Sequence, residues 1–376
     1  MSSAQFGIAL GPRIRKSPFF DRTVKAGVSH FTTYNHMYMP VSYGDLSAEY
    51  DRLMNGVAMW DVAGERQVSL KGRDALELAR LITPRNLDNL TFGVGKYVPM
   101  VNERGTLIND PVMLKVADDE VWLSIADSDM KFWCGALAIG KGMDVTVTEP
   151  DASPLAIQGP KAEDVVADIF GDWVRDIKYF GFKSADIQGI PVFMARSGWS
   201  KQGGFELYLR DGAKGNQLWD IVAEAGAAYD IGPGAPNYIE RVESGLISVN
   251  ADTDDNANPY EMGLGKFVDL DQDVDYVGKA ALKQIAAEGP KRKFCGVVMD
   301  GAPLTATNAH QWPITQDGAY VGFASAAAYS PRLDWNIATA LITTDAAGAT
   351  DGALVVETDH GPRNATPMDL PFKKSA

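Results

Sequence analysis

Two short apolar runs, residues 112–116 and 121–125, constrain the fold of this chain more than any other feature. Only a short acidic turn around Asp118-Asp119-Glu120 separates them. Parallel strands need a crossover of about a dozen residues or more. The two runs are therefore predicted to form an antiparallel hairpin.

The segments flanking this hairpin predict helices that cover the same sheet. Residues 67–70 predict a strand, and Asp74 is placed to cap the helix that follows. After the hairpin, Asp127 or Ser128 can cap a helix around residues 130–137. Strands and helices in this order predict an α+β fold, with helices on one face of an antiparallel sheet.

The second half of the chain continues this pattern. Strict alternation over residues 205–209 predicts a strand with three apolar side chains on one face and Glu206 and Tyr208 on the other. Helices are predicted over residues 217–227 and from Pro236 onward, since proline suits the first turn of a helix.

A change in composition separates the C-terminal part of the chain. Residues 251–275 are acidic and interrupted by proline and glycine, which predicts a long loop. Beyond residue 289, short β-like runs such as 294–299 and 353–357 predominate. We therefore expect a separate, mostly β C-terminal domain to begin near residue 289.

Charge and cysteine content limit the partners and the compartment. The chain has 35 Lys and Arg against 49 Asp and Glu, so no general basic field exists to bind nucleic acid. No apolar run approaches the roughly 18 residues of a membrane helix, and the basic cluster of Arg13, Arg15 and Lys16 stands on the wrong side of the first apolar stretch for a secretory signal. Cys134 and Cys295 are too few for a disulfide framework, so a cytoplasmic location is expected.

Several common catalytic and cofactor-binding motifs are absent from the sequence. The GxG segments at residues 93–95 and 263–265 lack the third glycine of a dinucleotide fingerprint, and no GxxxxGK[ST] loop occurs. Histidines and cysteines are scattered, so no metal site is expected. The acidic segment from Asp252 fails as a calcium loop, because Ala257 and Gly263 stand where glycine and glutamate are required.

The most informative block is ARSGWSKQGGFELY at residues 195–208. It resembles the signature of the glycine-cleavage T-protein (aminomethyltransferase) superfamily, folate-dependent one-carbon transferases in which a glycine-rich turn leads into a strand. Further matching motifs follow in the same order: WDV at 60–62, LIND at 107–110, AIQGP at 156–160 and PF at 371–372. The resemblance therefore spans nearly the whole chain.

Within the superfamily, the sequence is most similar to those of the tetrahydrofolate-dependent demethylases of dimethylsulfoniopropionate. The passages that carry this likeness are RIRKSPF at 13–19, YNHM at 34–37, ERQV at 65–68, NDPV at 109–112 and IERVE at 239–243.

The resemblance implies a three-domain cloverleaf around a central folate channel, with a mostly β C-terminal domain. Residues 1–58 and 150–250 would form a discontinuous folate-binding domain, and residues 59–149 an inserted α+β domain. Residues 251–288 would connect these to the C-terminal domain at residues 289–376.

Two acidic residues receive roles through the resemblance. Glu206 would bind the pterin, because a carboxylate can accept hydrogen bonds from the adjacent ring NH and exocyclic amine. Its alternative is an ordinary solvent-facing glutamate. Asp110 would be the catalytic acid or base of the superfamily's acidic motif, and its alternative is a turn aspartate.

The remaining candidates bind folate or the methyl donor. Tyr97, Ser124, Arg196 and Arg241 are the further folate-binding candidates, although Arg241 could equally form a surface ion pair with Glu240 or Glu243. Trp199 and Tyr208 could hold a cationic substrate against their aromatic faces, or could simply pack in the core.

These roles imply a methyltransferase that moves a methyl group from a sulfonium such as dimethylsulfoniopropionate to N5 of tetrahydrofolate. The products would be methylmercaptopropionate and 5-methyltetrahydrofolate. No enzyme nucleophile is needed, so alignment of donor carbon and N5 would supply most of the catalysis. The partners would be small molecules, and the sequence leaves the oligomeric state open, a homodimer included.

Two rival functions differ in substrate or class. A folate-dependent aminomethyltransferase or N-methyl demethylase would act on donors such as glycine betaine or dimethylglycine; Asn109 stands where aminomethyltransferases tend to have a second acid. A non-catalytic folate-binding assembly factor would carry a cysteine in the glycine turn, and residues 199–202 contain none.

Overall fold

The computed structural model describes residues 10–350 and 352–373. The first nine residues, which contain most of the stretch considered above for a secretory signal, lie outside it, as do residues 374–376 of the expected C-terminal domain. The α-helices of the described residues are α1 Phe20–Lys25, α2 Leu46–Asn55, α3 Ala75–Leu81, α4 Met130–Gly140, α5 Ala162–Phe170, α6 Gly215–Gly226, α7 Tyr238–Ser244, α8 Lys279–Glu288 and α9 Thr344–Ala347.

The strands are more numerous and mostly short. In chain order they are β1 His30–Tyr34, β2 Met37–Ser42, β3 Ala58–Asp61, β4 Gln67–Lys71, β5 Gly95–Tyr97, β6 Met100–Val101, β7 Leu107–Asn109, β8 Val112–Ala117, β9 Glu120–Ser124, β10 Thr146–Thr148, β11 Ser153–Gln158, β12 Phe182–Ile187, β13 Ile190–Ala195, β14 Gly204–Leu209, β15 Gly232–Gly234, β16 Arg292–Met299, β17 Trp312–Gln316, β18 Ala319–Ser330, β19 Trp335–Thr343, β20 Leu354–Thr358 and β21 Gly361–Met368.

Three larger sheets organise the molecule, and they confirm the α+β prediction. The first has the strand order β12-β13-β14-β11-β3-β15, and the second has the order β10-β4-β9-β8-β5. The third is a closed barrel of β16-β19-β18-β17-β20-β21, which confirms the β-rich C-terminal part. The predicted hairpin is β8 and β9, paired antiparallel.

Helices cover one face of each of the first two sheets. Val165 and Val166 of α5 and Leu218 and Val222 of α6 share a core with the apolar face of β14. Helices α3 and α4 share a core with the second sheet. Burial of these apolar faces is the main force holding helices to sheets.

The uncovered faces of the first two sheets meet each other. Trp122 of β9 packs edge-on against Phe193 of β13, with ring centroids 5.3 Å apart. Another apolar cluster joins Leu107 of β7 to Phe323 and Leu341 of the barrel. The polar face of β14 is therefore enclosed between sheets rather than open to solvent.

The predicted helix caps are wrong in detail, because their side chains bind elsewhere. The residue before α4 is Asp129, which makes no capping bond. Asp127 instead accepts a hydrogen bond from Asn35 N at 2.7 Å, and Ser128 Oγ accepts one from Asn109 Nδ2 at 2.6 Å. Asp74 does precede α3, but its carboxylate accepts from Asp144 N.

The helix expected from Pro236 begins two residues later. Asn237 is its N-cap, and its side chain accepts a hydrogen bond from Glu240 N at 3.0 Å. The amide cap, rather than the proline, therefore sets the start of α7. No helix among the described residues is both long and apolar enough to cross a membrane.

Candidate active site

A glycine-rich turn between β13 and β14 determines where Glu206 lies. Gly198 has φ +147°, and a Cβ there would lie 2.0 Å from Gln158 Nε2. Gly204 has φ +150°, and its Cβ would lie 2.4 Å from a backbone oxygen of β11. Gln158 fastens the turn, because its Nε2 donates to Ser197 O at 3.1 Å and its Oε1 accepts from Ser200 Oγ at 2.8 Å. Only glycine satisfies such close approaches at positive φ.

Glu206 lies on the enclosed face of β14 and is 5% exposed. Its direct neighbours across the sheet are Ala195 and Ala156, whose small side chains leave room beside the carboxylate. Oε2 accepts hydrogen bonds from the hydroxyl of Ser197 and from that of Tyr208, the latter at 3.2 Å. Oε1 accepts none from the described residues, so one carboxylate oxygen remains available to a ligand.

Three carboxyl groups, those of Glu65, Asp110 and Glu206, form the acidic centre of the site. Burial raises the pKa of Glu206 above its usual value. Burial also raises the pKa of Glu65 well above normal, and the negative charges of Glu206 and Asp110 add to the effect. Among the described residues, no salt bridge neutralises any of the three. The cluster therefore favours protons, hydrogen-bond donors or a cationic ligand.

Asp110 is held by Tyr97, whose hydroxyl donates to Asp110 Oδ2 at 2.7 Å. Burial raises the pKa of Asp110 to about 7, and the charge of Asp252 contributes in the same direction, although the Tyr97 bond opposes them. Asn109 fixes the loop beside it, because its Oδ1 accepts from the amides of Asp110 at 3.0 Å and Ala126 at 3.1 Å. An aspartate with this pKa can both accept and release a proton near neutrality.

Tyr208 contacts the Glu206 carboxylate directly, and Ser124 is connected to it through a hydrogen bond to Tyr208. Gln67 Nε2 donates to Ser124 Oγ at 2.9 Å, and Ser124 also meets the Tyr208 hydroxyl. Tyr208 is 1% exposed, and its ring belongs to the apolar cluster of Trp122 and Phe193. The Tyr208 ring is packed in this cluster and its hydroxyl orients Glu206; its role in holding a cationic substrate stays a prediction.

Arg241 and Trp199 lie together on a second side of the site. The Arg241 guanidinium lies 5.8 Å from the Trp199 ring centroid and 5.7 Å from that of Tyr238. Its Nη2 pairs with Asp252 at 2.5 Å, and both side chains are buried. Arg241 Nε is buried without a hydrogen-bond partner among the described residues. Arg241 is thus a buried, fixed cation, not the surface ion pair considered as its alternative.

The structure does not bring Arg196 to this cluster. Its Nη2 pairs with Glu163 of α5 at 2.5 Å, and its guanidinium lies 5.5 Å from the ring of Phe205. Helix α5 covers the opposite face of the sheet from Glu206. The folate-binding prediction for Arg196 is therefore not supported by its position, which local sequence alone could not reveal.

Glu65 is the main site residue that the sequence arguments did not select. It lies in the turn between β3 and β4, where a glutamate is ordinarily a solvent-exposed loop residue. The available signal was its place in the ERQV passage at residues 65–68. Among the described residues, no group of three or more histidines, cysteines and acids is arranged to hold a metal ion.

Family models account for most of the chain. The GCVT N-terminal domain matches residues 19–272, and the glycine cleavage T-protein C-terminal barrel domain matches residues 292–374. The chain therefore belongs to the glycine cleavage T-protein family.

Individual relatives show which members of the family this chain resembles. The chain is 44% identical over 354 residues to dimethylsulfoniopropionate demethylase DmdA of Ruegeria pomeroyi, a match covering 94% of this chain and 96% of that protein. It is 29% identical to an aminomethyltransferase of Synechococcus sp., covering 88% and 91%. The crystal structure of aminomethyltransferase T from Bartonella henselae has the same fold, with a TM-score of 0.83 at 20% identity, and covers 96% of this chain and 98% of that one.

Proposed function

We propose that this protein is a tetrahydrofolate-dependent methyltransferase that demethylates a sulfonium, dimethylsulfoniopropionate being the first candidate. The observation that carries the choice of donor is the 44% identity to dimethylsulfoniopropionate demethylase over nearly the full length of both chains. The aminomethyltransferases match over similar lengths at 28–29% identity. The assignment gives 5-methyltetrahydrofolate and methylmercaptopropionate as products.

The residues present fit a reduced pterin. Glu206 has an oxygen free of protein hydrogen bonds, and the two flanking alanines leave space beside it. In this proposal Glu206 accepts the adjacent NH donors of the pterin, while Ser197 and Tyr208 hold the carboxylate in place. Bound tetrahydrofolate supplies the nucleophilic N5 nitrogen.

The reaction needs alignment and one proton transfer from the protein. Methyl transfer forms a carbon–nitrogen bond with the N5 lone pair. The carbon–sulfur bond breaks, and its electron pair stays on sulfur, so the donor leaves as a neutral thioether. The N5 proton must then leave, and Asp110 can accept it directly or through water because its pKa lies near 7. Tyr97 orients the Asp110 carboxylate for this step.

The acidic centre also suits the donor's charge. Burial raises the pKa of Glu65, Asp110 and Glu206. A sulfonium or quaternary ammonium bound beside them favours their charged forms, and these attract the cation in return. Trp199 offers an aromatic ring beside this region, and we propose that it contacts the cation. Tyr97, Ser124 and Arg241 are proposed to contact folate.

The decisive experiment is a product assay by mass spectrometry. The purified protein is incubated with tetrahydrofolate and, separately, dimethylsulfoniopropionate, glycine betaine, dimethylglycine or the aminomethylated carrier of glycine cleavage. We expect 5-methyltetrahydrofolate and methylmercaptopropionate from the sulfonium alone. Turnover of only an N-methyl or aminomethyl donor would replace the proposed donor, and folate binding without turnover of any donor would indicate a binding protein.

Three organisational predictions accompany this function. We propose a cytoplasmic location, consistent with the two cysteines being buried free thiols. The domain division at residues 58, 150, 250 and 289 and the option of a homodimer likewise stay predictions.

A further inference from the structure

Helix α7 carries a glutamate that the proposed reaction does not use. Glu240 is fully buried. Within the described part of the chain it forms no salt bridge, and its Oε2 atom is buried without a hydrogen-bond partner. Burying a carboxylate without a counter-ion costs free energy, so the hydrogen bonds to its other oxygen must offset that cost.

The other carboxylate oxygen binds the glycine-rich turn between β13 and β14. Glu240 Oε1 accepts hydrogen bonds from Lys201 N at 2.9 Å and from Gln202 Nε2 at 3.1 Å. Ser244, one helical turn further along α7, donates to the same oxygen at 2.6 Å. The Glu240 side chain is therefore fixed on its own helix, and it holds the second half of the glycine-rich turn against that helix.

The same helix meets Trp199 through the next residue. The Arg241 guanidinium lies 5.8 Å from the Trp199 ring centroid, and its pairing with Asp252 keeps it in place. Glu240 and Arg241 thus contact adjoining parts of one turn, Glu240 at the backbone of Lys201 and Arg241 at the ring of Trp199. The hydrogen bonds of Glu240 therefore set how closely this ring approaches α7.

A different anchor holds the first half of the turn. Gln158 of β11 donates to Ser197 O at 3.1 Å, and the Ser197 hydroxyl in turn donates to the Glu206 carboxylate. Because Ser197 is fixed from β11, its contact with Glu206 does not depend on α7. Loss of the Glu240 anchor should therefore disturb Trp199 more than it disturbs Glu206.

We infer that Glu240 is a positioning residue for methyl transfer, which holds Trp199 where its ring contacts the cationic donor. The inference rests on the proposed function and on the role proposed there for Trp199. Glu240 acts on the donor only through the turn, because a ring that is already ordered loses less conformational freedom when the donor binds. It should therefore set the KM for the sulfonium and leave folate affinity nearly unchanged.

The test is a double-mutant cycle read as the KM for dimethylsulfoniopropionate. Glu240→Leu removes the acceptor and should raise this KM about two- to tenfold, with kcat and the Kd for tetrahydrofolate nearly unchanged. Glu240→Gln keeps an acceptor oxygen and should restore most of the wild-type KM. In the Trp199→Ala background, Glu240→Leu should have no further effect on this KM, because the ring that it positions is gone.

Glu49 supplies the matched control. It lies in the first turn of α2, is buried, and accepts hydrogen bonds from Tyr43 N at 2.8 Å and from Ser42 Oγ at 3.1 Å. Glu49→Leu therefore removes the same kind of anchor from a different turn, and it should lower the melting temperature without changing the KM for the sulfonium. An equal rise of KM in Glu49→Leu and Glu240→Leu would show that general destabilisation is the cause, and would overturn the inference.

Two further results would also overturn it. Additive KM effects in the cycle would show that Glu240 does not act through Trp199, and an equal loss of folate and donor affinity would show that it supports Glu206. If Glu240→Leu does not fold, Gln202→Leu takes its place in the cycle, since it removes one of the two hydrogen bonds from the turn to Glu240; an unchanged KM in that variant would contradict the inference. Failure of the wild-type protein to methylate folate from any sulfonium would instead reject the proposed function itself.

Discussion

At the scale of single residues, the proposed role of Glu206 can be tested most directly. Glu206→Gln leaves an amide that cannot accept both pterin donors, and an unsatisfied buried donor costs on the order of 1–3 kcal/mol. We expect tetrahydrofolate affinity to fall about tenfold or more, measured by calorimetry. Glu357→Gln alters an exposed glutamate on β20 and should bind folate normally. Unchanged affinity in Glu206→Gln would show that the carboxylate does not bind the pterin.

Substitution of Trp199 should affect binding differently from substitution of Glu206. Removing an aromatic face from a cation costs about 0.5–2 kcal/mol, so Trp199→Ala should raise the KM for the sulfonium about two- to thirtyfold while largely sparing folate affinity. Trp199→Phe keeps a face and should restore most of the loss. Because Arg241 lies beside this ring, loss of folate and donor together would instead show that Trp199 supports Arg241.

Asp110 gives a pH-dependent prediction with a defined sign. Its folded-state pKa of about 7 exceeds its ordinary value of 3.8, so the folded protein binds more protons than the unfolded chain between these values. Asp110 therefore costs stability as pH rises from about 4 toward 7. Asp110→Asn should raise the melting temperature more at pH 8 than at pH 5, and should flatten the rise of kcat with pH near 7. An equal gain at both pH values would contradict the raised pKa.

At the scale of elements, the turn before β14 should be intolerant of side chains. A Cβ at Gly204 would meet the β11 backbone at 2.4 Å, whereas Gly189, in the turn between β12 and β13, has φ +79° and open space. Gly189→Ala should cost only the left-handed backbone strain of about 1–2 kcal/mol. Gly204→Ala should destabilise the protein more in urea denaturation and also weaken folate binding. Equal losses of stability in the two variants would show that β11 and β14 can separate to make room for a side chain at Gly204.

Local sequence patterns predicted strands better than they predicted what covers them. Alternation over residues 205–209 identified β14 and the shared face of Glu206 and Tyr208, but it is typical of a strand with one solvent face. Here a second sheet encloses that face, which is a long-range contact without a local signal. Asp127 and Ser128 have capping propensity, yet loops from distant segments bind them instead. Glu65 enters the site for the same long-range reason.

At the scale of the whole molecule, the site draws on every part of the fold. Glu206 belongs to the first sheet and Tyr97 to the second, while Asp252, which pairs with Arg241, also accepts a hydrogen bond from Ser325 of the barrel at 2.5 Å. A ligand that contacts these parts binds only the folded state and stabilises it by about 2.7 kcal/mol at a hundredfold excess over its Kd.

For a chain of 376 residues, that free energy corresponds to a rise in melting temperature of about 3–4 °C. Tetrahydrofolate should produce this shift in scanning calorimetry, and the shift should be much smaller in Glu206→Gln at the same concentration. Because Asp252 connects Arg241 to the barrel, Asp252→Asn should also reduce the folate-dependent shift, even though the residue lies on a different segment from Glu206. The absence of any shift at saturating reduced folate would contradict folate binding, and a shift unaffected by Glu206→Gln would place the ligand elsewhere.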